Sequence, residues 1–226
     1  MEDGAPPAEG AEVDARRPAK LPAHRPSRRQ EIVDAAIEVF SRNGFAETSI
    51  QDVADEAGVV PTAVYYHFSG KEELFDVVLQ SVIAELDEVV ERARPQGDQA
   101  RALPRVVDAV WQWIEARPDH ARVLYSHLPG ATEQARQLRV QFEEQHIERA
   151  YVYARAVPTD QRRHGSDAAQ HAATRLAVRT LIHTLMAIHP MRLDGGPLSR
   201  RSPRALHAAL DEVSMRIVGQ DLPAGR

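Results

Sequence analysis

From Ser27 onward, apolar residues recur every three or four positions and no strict alternation is sustained, so the pattern predicts an all-α chain. The first predicted helix runs from about Ser27 to Arg42 and buries Ile32, Val33, Ala35, Ala36, Val39 and Phe40. Ser27 and Gln30 have the spacing of a capping box, and Gly44 lies past the helix end. A second helix opens at Ser49, with Asp52 completing a capping box, and buries Ile50, Val53, Ala54 and Ala57. Gly58 ends it, because glycine enters a left-handed turn without steric penalty. Pro61 restarts a helix, because its missing amide and fixed φ suit a first helical position. This third helix, Pro61 to Phe68, buries Val64 and Phe68 and turns Thr62, Ala63, Tyr65, Tyr66 and His67 outward. Two short helices crossed on a glycine turn are the signature of a helix-turn-helix.

A fourth helix is expected to open at Ser69, with Glu72 three residues on, and to continue to about Arg94. Phe75, Leu79, Val82, Leu86, Val89 and Ala93 form one stripe along it, the mark of a single rod leaving the helix-turn-helix. Pro95 and Gly97 break the rod. The next helix, about Ala100 to Ala116, faces inward with Leu103, Val106, Val107, Val110 and Ile114, and Trp111 and Trp113 flank that stripe. Pro118, Pro129 and Gly130 bracket a short helix holding Val123, Leu124 and Tyr125. A long helix from about Thr132 to Ala156 follows, then a polar loop over 158–166. The eighth helix, about Asp167 to His189, carries Ala177, Leu181, Leu185 and Ile188 on one side. Ala173, Leu176, Thr180, His183 and Ala187 lie on another, so it must be covered on two faces. The ninth starts at Ser202-Pro203 with Leu206, Leu210, Val213 and Ile217 at helical spacing.

Charge modifies this picture at the N-terminus. The chain has 226 residues and a formal net charge of -5, and the helix-turn-helix itself is slightly acidic. Just upstream, Arg16, Arg17, Lys20, Arg25, Arg28 and Arg29 form a basic stretch behind the acidic cluster Glu2, Asp3, Glu9, Glu12 and Asp14. Residues 1–26 are rich in Pro and Ala and are expected to be a disordered arm, either a solvated tail or a strand of cations laid along a phosphate backbone. There is no cysteine, which removes disulfides, thiolate zinc sites and cysteine nucleophiles. No apolar run approaches about 18 residues and no leader-like apolar segment opens the chain, so a cytoplasmic protein without membrane partners is expected.

Taken together, Ile32-Val33 through Val39-Phe40, the Asn43-Gly44-Phe45 corner, Thr48-Ser49, Val53-Ala54, Ala57-Gly58-Val59, Tyr65-Tyr66-His67-Phe68 and Lys71-Glu72-x-Leu74 resemble the tetracycline-repressor (TetR) family of bacterial regulators. The likeness is close over about residues 28 to 80 and elsewhere is one of helical layout. It implies a three-helix DNA-binding domain over 27–71, joined by the long fourth helix to an effector-binding and dimerisation domain over 72–220, about nine helices in all. It also implies a homodimer through the eighth and ninth helices, and it assigns Thr48, Ser49, Tyr66, His67 and Lys71 to DNA phosphates. Hydroxyls, an imidazole and a lysine are suitable anion partners. Two positions depart from the family pattern: Val60 stands where a capping Ser is usual, and Gln51 where Arg is frequent.

The recognition helix has no Arg, Lys, Asn or Gln, the side chains that grip purines bidentately. Base reading would therefore fall to Thr62 by one hydrogen bond, Ala63 by contact with a thymine methyl, Tyr65 by hydroxyl or ring, and Gln51 by pairing with adenine. Tyr66 and His67 have packing between the third and fourth helices as an alternative role.

For the larger domain the resemblance implies a cavity whose small-molecule occupant acts through the fourth helix. At 100 degrees per residue, Leu138, Phe142, Val152, Tyr153 and Ala156 share a face with Gln145, His146 and Arg149, and polar groups within an apolar stripe need partners. One reading has Arg149 or His146 meeting an acidic group of an effector while Trp111, Tyr125 and Phe142 supply apolar walls. Another makes the polar groups a structural network or an exposed face, since Val140, Ile147 and Ala154 form a rival stripe. Glu143 and His146 have the Glu-x-x-His spacing of di-iron bundles, but the motif occurs once where such a site needs two. No metal, cofactor or catalytic residue is expected. The residues and the resemblance together point to a DNA-binding regulator, and the resemblance implies a ligand-released repressor on a palindromic operator. A ligand-independent DNA binder, and an all-helical interaction module or metal enzyme, remain as alternatives.

Overall fold

In a computed structural model, which describes residues 27–94, 101–126, 132–155, 167–192 and 196–217, the described residues form nine α-helices and no strand. They are α1 (Arg28–Glu47), α2 (Ile50–Glu56), α3 (Pro61–His67), α4 (Lys71–Ala93), α5 (Ala102–Ala116), α6 (Pro118–Ser126), α7 (Glu133–Arg155), α8 (Asp167–Arg192) and α9 (Pro203–Ile217). The expected arm over 1–26, Pro95, Gly97, Pro129, Gly130, Ala156 and the loop over 158–166 lie outside the described residues.

Local chemistry sets the helix ends, with two corrections to the sequence reading. Ser27 Oγ accepts from the Gln30 amide at 3.2 Å, but the Gln30 side chain donates to Asp34 at 2.8 Å instead of returning to the cap, so only half a capping box forms. The span of α1 reaches Glu47 but is broken at Gly44, whose φ of 78° and ψ of 172° are not helical and whose φ a β-carbon would disfavour, so the expected end of the first helix just before Gly44 holds. At Ser69 the expected partner Glu72 is replaced by Glu73, which accepts from the Ser69 amide at 2.7 Å and its hydroxyl at 2.6 Å, and α4 begins only at Lys71. The box at Ser49 and Asp52 forms in full, and Gly58 turns the chain at φ 62°. α3 begins at Pro61 with no side-chain cap from Val60.

α4 is the shared spine. Leu74, Phe75, Val78, Leu79, Val82, Leu86 and Val90 are buried along it, each full burial contributing roughly 1.5–3 kcal/mol. At its start Phe75 meets Phe40 and Phe45 of α1 with ring centroids 5.0 Å away in each case. Further on, α4 packs against α5, α6 and α7. A second link to α1 comes from α6, where Asp119 accepts from the Ser41 hydroxyl at 2.7 Å.

α8 buries Val178, Leu181, Leu185 and Ile188 and runs to Arg192, past the expected His189, with Pro190 in its last turn. Of its second face, Ala173, Leu176, Thr180 and His183 are exposed, whereas Ala187 is half-buried. The stripe of α9 is turned largely into its own protomer: Leu210 is only 3% exposed, Leu206 and Ile217 are half-buried against the same core, and Val213 alone is 46% exposed. α9 packs on α5 and α8 of its own chain, so most of its stripe is covered within the protomer. No described helix is long and apolar enough to cross a membrane.

Candidate nucleic-acid interface and effector cavity

The surface of α2, the Gly58 turn and α3 carries most of the residues expected to meet DNA. Gln51, Thr62, Tyr65 and Tyr66 are exposed, Tyr66 by 85%, whereas Ala63 and His67 are half-buried. The rings of Tyr66 and His67 meet edge-on at 5.0 Å, so each orients the other beside the helix end. Gln51 Nε2 donates to Asp55 at 2.7 Å, and the Ser49 hydroxyl donates to Asp52 at 2.7 Å. That bond, together with the one from the Ser49 amide, holds the Asp52 carboxyl below the usual carboxylate range.

Besides Ser49, two more of the expected phosphate contacts are engaged within the protein. Thr48 is buried and its hydroxyl donates to the Gly44 carbonyl at 2.7 Å, which turns that group away from the outer face. Lys71 Nζ donates to the carbonyls of Phe45 and Ala46 at 2.9 and 3.2 Å and lies 4.6 Å from the Phe45 ring centroid. It thereby neutralises the carbonyl end of α1. One cation escaped the sequence reading of this surface: Arg29 sits 4.9 Å from the centroid of the Phe68 ring, beside the end of α3. Its signal was present only as one arginine among several in the basic stretch.

Within the larger helical bundle lies a cavity of about 50 Å³. α4 contributes Leu86 and Val90, α5 Leu103, Val106, Val107 and Val110, and α8 Leu181, Ile182, Leu185 and Met186. The remaining wall is Tyr125 of α6 with Phe142, His146, Arg149, Ala150 and Tyr153 of α7. Four of the five expected effector residues thus come together. Trp111 does not: it faces α9, where its indole stacks on His207 at 5.6 Å with the Arg192 guanidinium 5.3 Å from the ring. Gln145 is exposed on α7 and lies outside the lining.

The polar groups of the cavity are specific in their bonding. His146 Nδ1 lies 2.8 Å from the Phe142 carbonyl, which can only accept, so Nδ1 carries the proton and Nε2 presents a lone pair. Among the described residues that buried Nε2 has no hydrogen-bond partner, and the Asp87 Oδ1 carboxylate oxygen is 3.7 Å away. Burial lowers the His146 pKa from its ordinary value and outweighs the Phe142 carbonyl and the Asp87 carboxylate, which act the other way. Arg149 Nη1 donates to Asp87 of α4 at 2.7 Å and lies 3.9 Å from Glu91. Asp87 and Glu91 were missed in the sequence, where they read as ordinary surface charges of α4. Burial also pushes the Tyr125 phenol up, so it stays protonated. The Glu-x-x-His pair does not converge: Glu143 points to α8, where His183 Nε2 lies 2.6 Å away and Arg179 Nη1 at 3.5 Å, while His146 turns to the cavity. Among the described residues no group of three or more His, Cys, Asp or Glu is placed to hold a metal ion.

Residues 32–78 match the family model for bacterial regulatory proteins of the tetR family. The HTH-type transcriptional activator FasR of Mycolicibacterium smegmatis is 34% identical over 113 residues, 50% of this chain and 51% of that protein. The HTH-type transcriptional repressor KstR2 of Mycobacterium tuberculosis is 30% identical over 141 residues, 55% of this chain and 69% of that protein. Among solved structures, FadR from Bacillus subtilis in complex with stearoyl-CoA is similar with a TM-score of 0.65 at 18% identity, over 82% of this chain and 97% of that one. At that identity the likeness is one of fold. The chain spans about half or less of the length of the first curated relatives it matches.

Proposed function

The chain belongs to the TetR family of bacterial regulatory proteins, and from that premise we propose that it is a homodimeric transcriptional repressor, released from a palindromic operator when a small molecule occupies its cavity. Residues 27–71 are the reading head and 72–220 the effector and dimerisation domain. The protein acts in the cytoplasm, by binding and without a catalytic step. Tyr65, Thr62, Ala63 and Gln51 read base edges, while Ser49, Tyr66, His67 and Lys71 hold phosphates. A two-fold pair of such heads reads half-sites about one DNA turn apart, and the exposed second face of α8, with Val213 beside it, is the surface that pairs two protomers.

The observation that carries this reading is the double use of α4. Phe75 locks one end of the helix to α1, and Leu86 and Val90 form a cavity wall roughly 22 Å further along the rod at its far limit. The cavity holds about 50 Å³, against roughly 300–1,000 Å³ for ordinary ligand sites. An occupant of usual size must part the walls, α4 among them, and displacement of α4 carries the reading head with it. A ligand shifts such an equilibrium only by its preference for the parted state. Selection from randomised DNA, followed by titration of the selected site, tests the proposal. A two-fold site retained by a dimer supports it; sequence-independent, salt-sensitive binding points to a ligand-independent DNA binder; no binding rejects DNA recognition altogether.

A further inference from the structure

The cavity contains one buried acceptor that nothing among the described residues satisfies, and its surroundings say what kind of group fits it. His146 Nε2 carries a lone pair, because Nδ1 is committed to the Phe142 carbonyl 2.8 Å away. A buried acceptor left without a donor costs free energy that a ligand can recover by supplying one. Beside it, Arg149 is already matched by Asp87 at 2.7 Å, with Glu91 at 3.9 Å, so one guanidinium faces two carboxylates. A ligand carboxylate would bring a third negative charge to this end of the cavity and would meet a lone pair, not a donor, at Nε2. A hydroxyl meets neither obstacle. It donates to Nε2 and accepts from one of the Arg149 N–H groups not used by Asp87, a guanidinium having five. Both side chains reach the same oxygen of Asp87, 3.7 Å from Nε2 and 2.7 Å from Nη1, so one ligand oxygen can sit within reach of both.

We propose that the effector is an uncharged, largely apolar molecule with a single hydroxyl, its oxygen seated between His146 Nε2 and Arg149 and its apolar body among the aliphatic side chains of α5 and α8. This inference rests on the reading of the cavity as the effector site and names the chemistry that site selects.

Calorimetric titration of the full-length protein tests it with two matched probe series. One is 1-octanol, methyl octyl ether and octanoate, and the other is 1-naphthol, 1-methoxynaphthalene and 1-naphthoate. Each ether keeps the acceptor oxygen and removes only the donor. In at least one series the hydroxyl compound is expected to bind about tenfold more tightly than its ether, the ratio for roughly one well-made hydrogen bond to a buried acceptor. In His146→Phe, which keeps a ring and removes the acceptor, the two should bind alike. Should that variant fail to fold, His146→Gln retains an acceptor and should keep part of the preference. Equal binding of alcohol and ether by the unaltered protein overturns the proposal, as does tighter binding of the acid, which would place an anion on Arg149. Binding by no probe of either series overturns the reading of the cavity itself, whereas binding without hydroxyl preference leaves that reading standing and removes only this one.

Discussion

Asp87 and Arg149 stand 62 positions apart in the sequence, yet they meet at 2.7 Å and tie α4 to α7 at the edge of the cavity. Each side chain is a little over a quarter exposed, so water screens the pair and its worth lies nearer a surface than a buried bridge. Asp87→Asn and Arg149→Gln, made singly and together, should show a coupling of about 0.5–1 kcal/mol in chemical unfolding. The same cycle on operator affinity should reveal weaker DNA binding in each single variant if this bond holds α4 in its DNA-competent position. Additive stabilities and unchanged operator binding would show the bond to be incidental.

Acid should destabilise the fold in a window set by three histidines. Burial lowers the pKa values of His120, His146 and His189, in each case as the largest effect. His120 faces Glu85, Arg117, Asp34 and Asp119; His146 faces Asp87 and Arg149; His189 faces Arg122, Arg192, Glu115 and Asp119. The unfolded chain takes up these protons near pH 6.5, before the folded one does, so stability is fully present above about pH 6.5 and falls as pH drops through the folded values. Urea unfolding at pH 7.5, 6.5 and 5.5 should give a declining free energy, less steep in His189→Phe. A flat profile would mean that these imidazoles protonate equally well in both states.

The family resemblance assigns Lys71 to a phosphate, and the structure commits it to the end of α1. Lys71→Met should therefore lower stability by about 1 kcal/mol through loss of its bonds to the Phe45 and Ala46 carbonyls. If Nζ also reaches a phosphate, the slope of log affinity against log salt should shrink by roughly 0.9. A stability loss with an unchanged slope would assign Lys71 to the helix end alone.

The contrast between Lys71 and Thr62 shows what sequence could and could not convey. Periodicity and capping residues located the nine helices because those signals are local: Ser49 with Asp52, Gly58 and Pro61 act within a few residues of themselves. The cavity residues of α7 were legible as polar interruptions in an apolar stripe, and His146 and Arg149 do turn inward. Their partners were not, since Asp87 and Glu91 look like any exposed carboxylates on a helix until α4 and α7 are packed. Trp111 failed for a related reason. One turn of a helix places a ring on either of two neighbours, and only the packing of α9 decided that it meets His207 and not the cavity. Both rival stripes of α7 contain buried residues, Phe142 in one and Ile147 in the other, because the helix is covered on two sides.

Thr62 is exposed on α3, and Gln51 is exposed on α2. Thr62→Ala and Gln51→Ala should each relax preference at one or two base pairs per half-site, by about 1–3 kcal/mol where a direct contact is lost. The Gln51 effect should be the smaller, because its amide must first leave Asp55. A selected site identical to that of the unaltered protein would mean that DNA shape, not these side chains, sets specificity.

Dimerisation can be separated from folding by two leucines of similar appearance in the sequence. Leu176 on α8 is 66% exposed and lies on the face with Ala173, Thr180 and His183, whereas Leu210 on α9 is 3% exposed inside its own protomer. A charge at position 176 is harmless to a lone protomer, where water solvates it, and costly only when a second copy covers that face without a partner for it. Leu176→Glu should therefore give a folded monomer by light scattering, with unchanged helicity and greatly weakened binding to a two-fold operator. Leu210→Glu should instead unfold or strongly destabilise the protomer, since losing the packing alone is worth about 2–5 kcal/mol. A dimer of native affinity in Leu176→Glu would move the interface away from the second face of α8. A folded monomer in Leu210→Glu would show that α9 is held by its partner and not by α5.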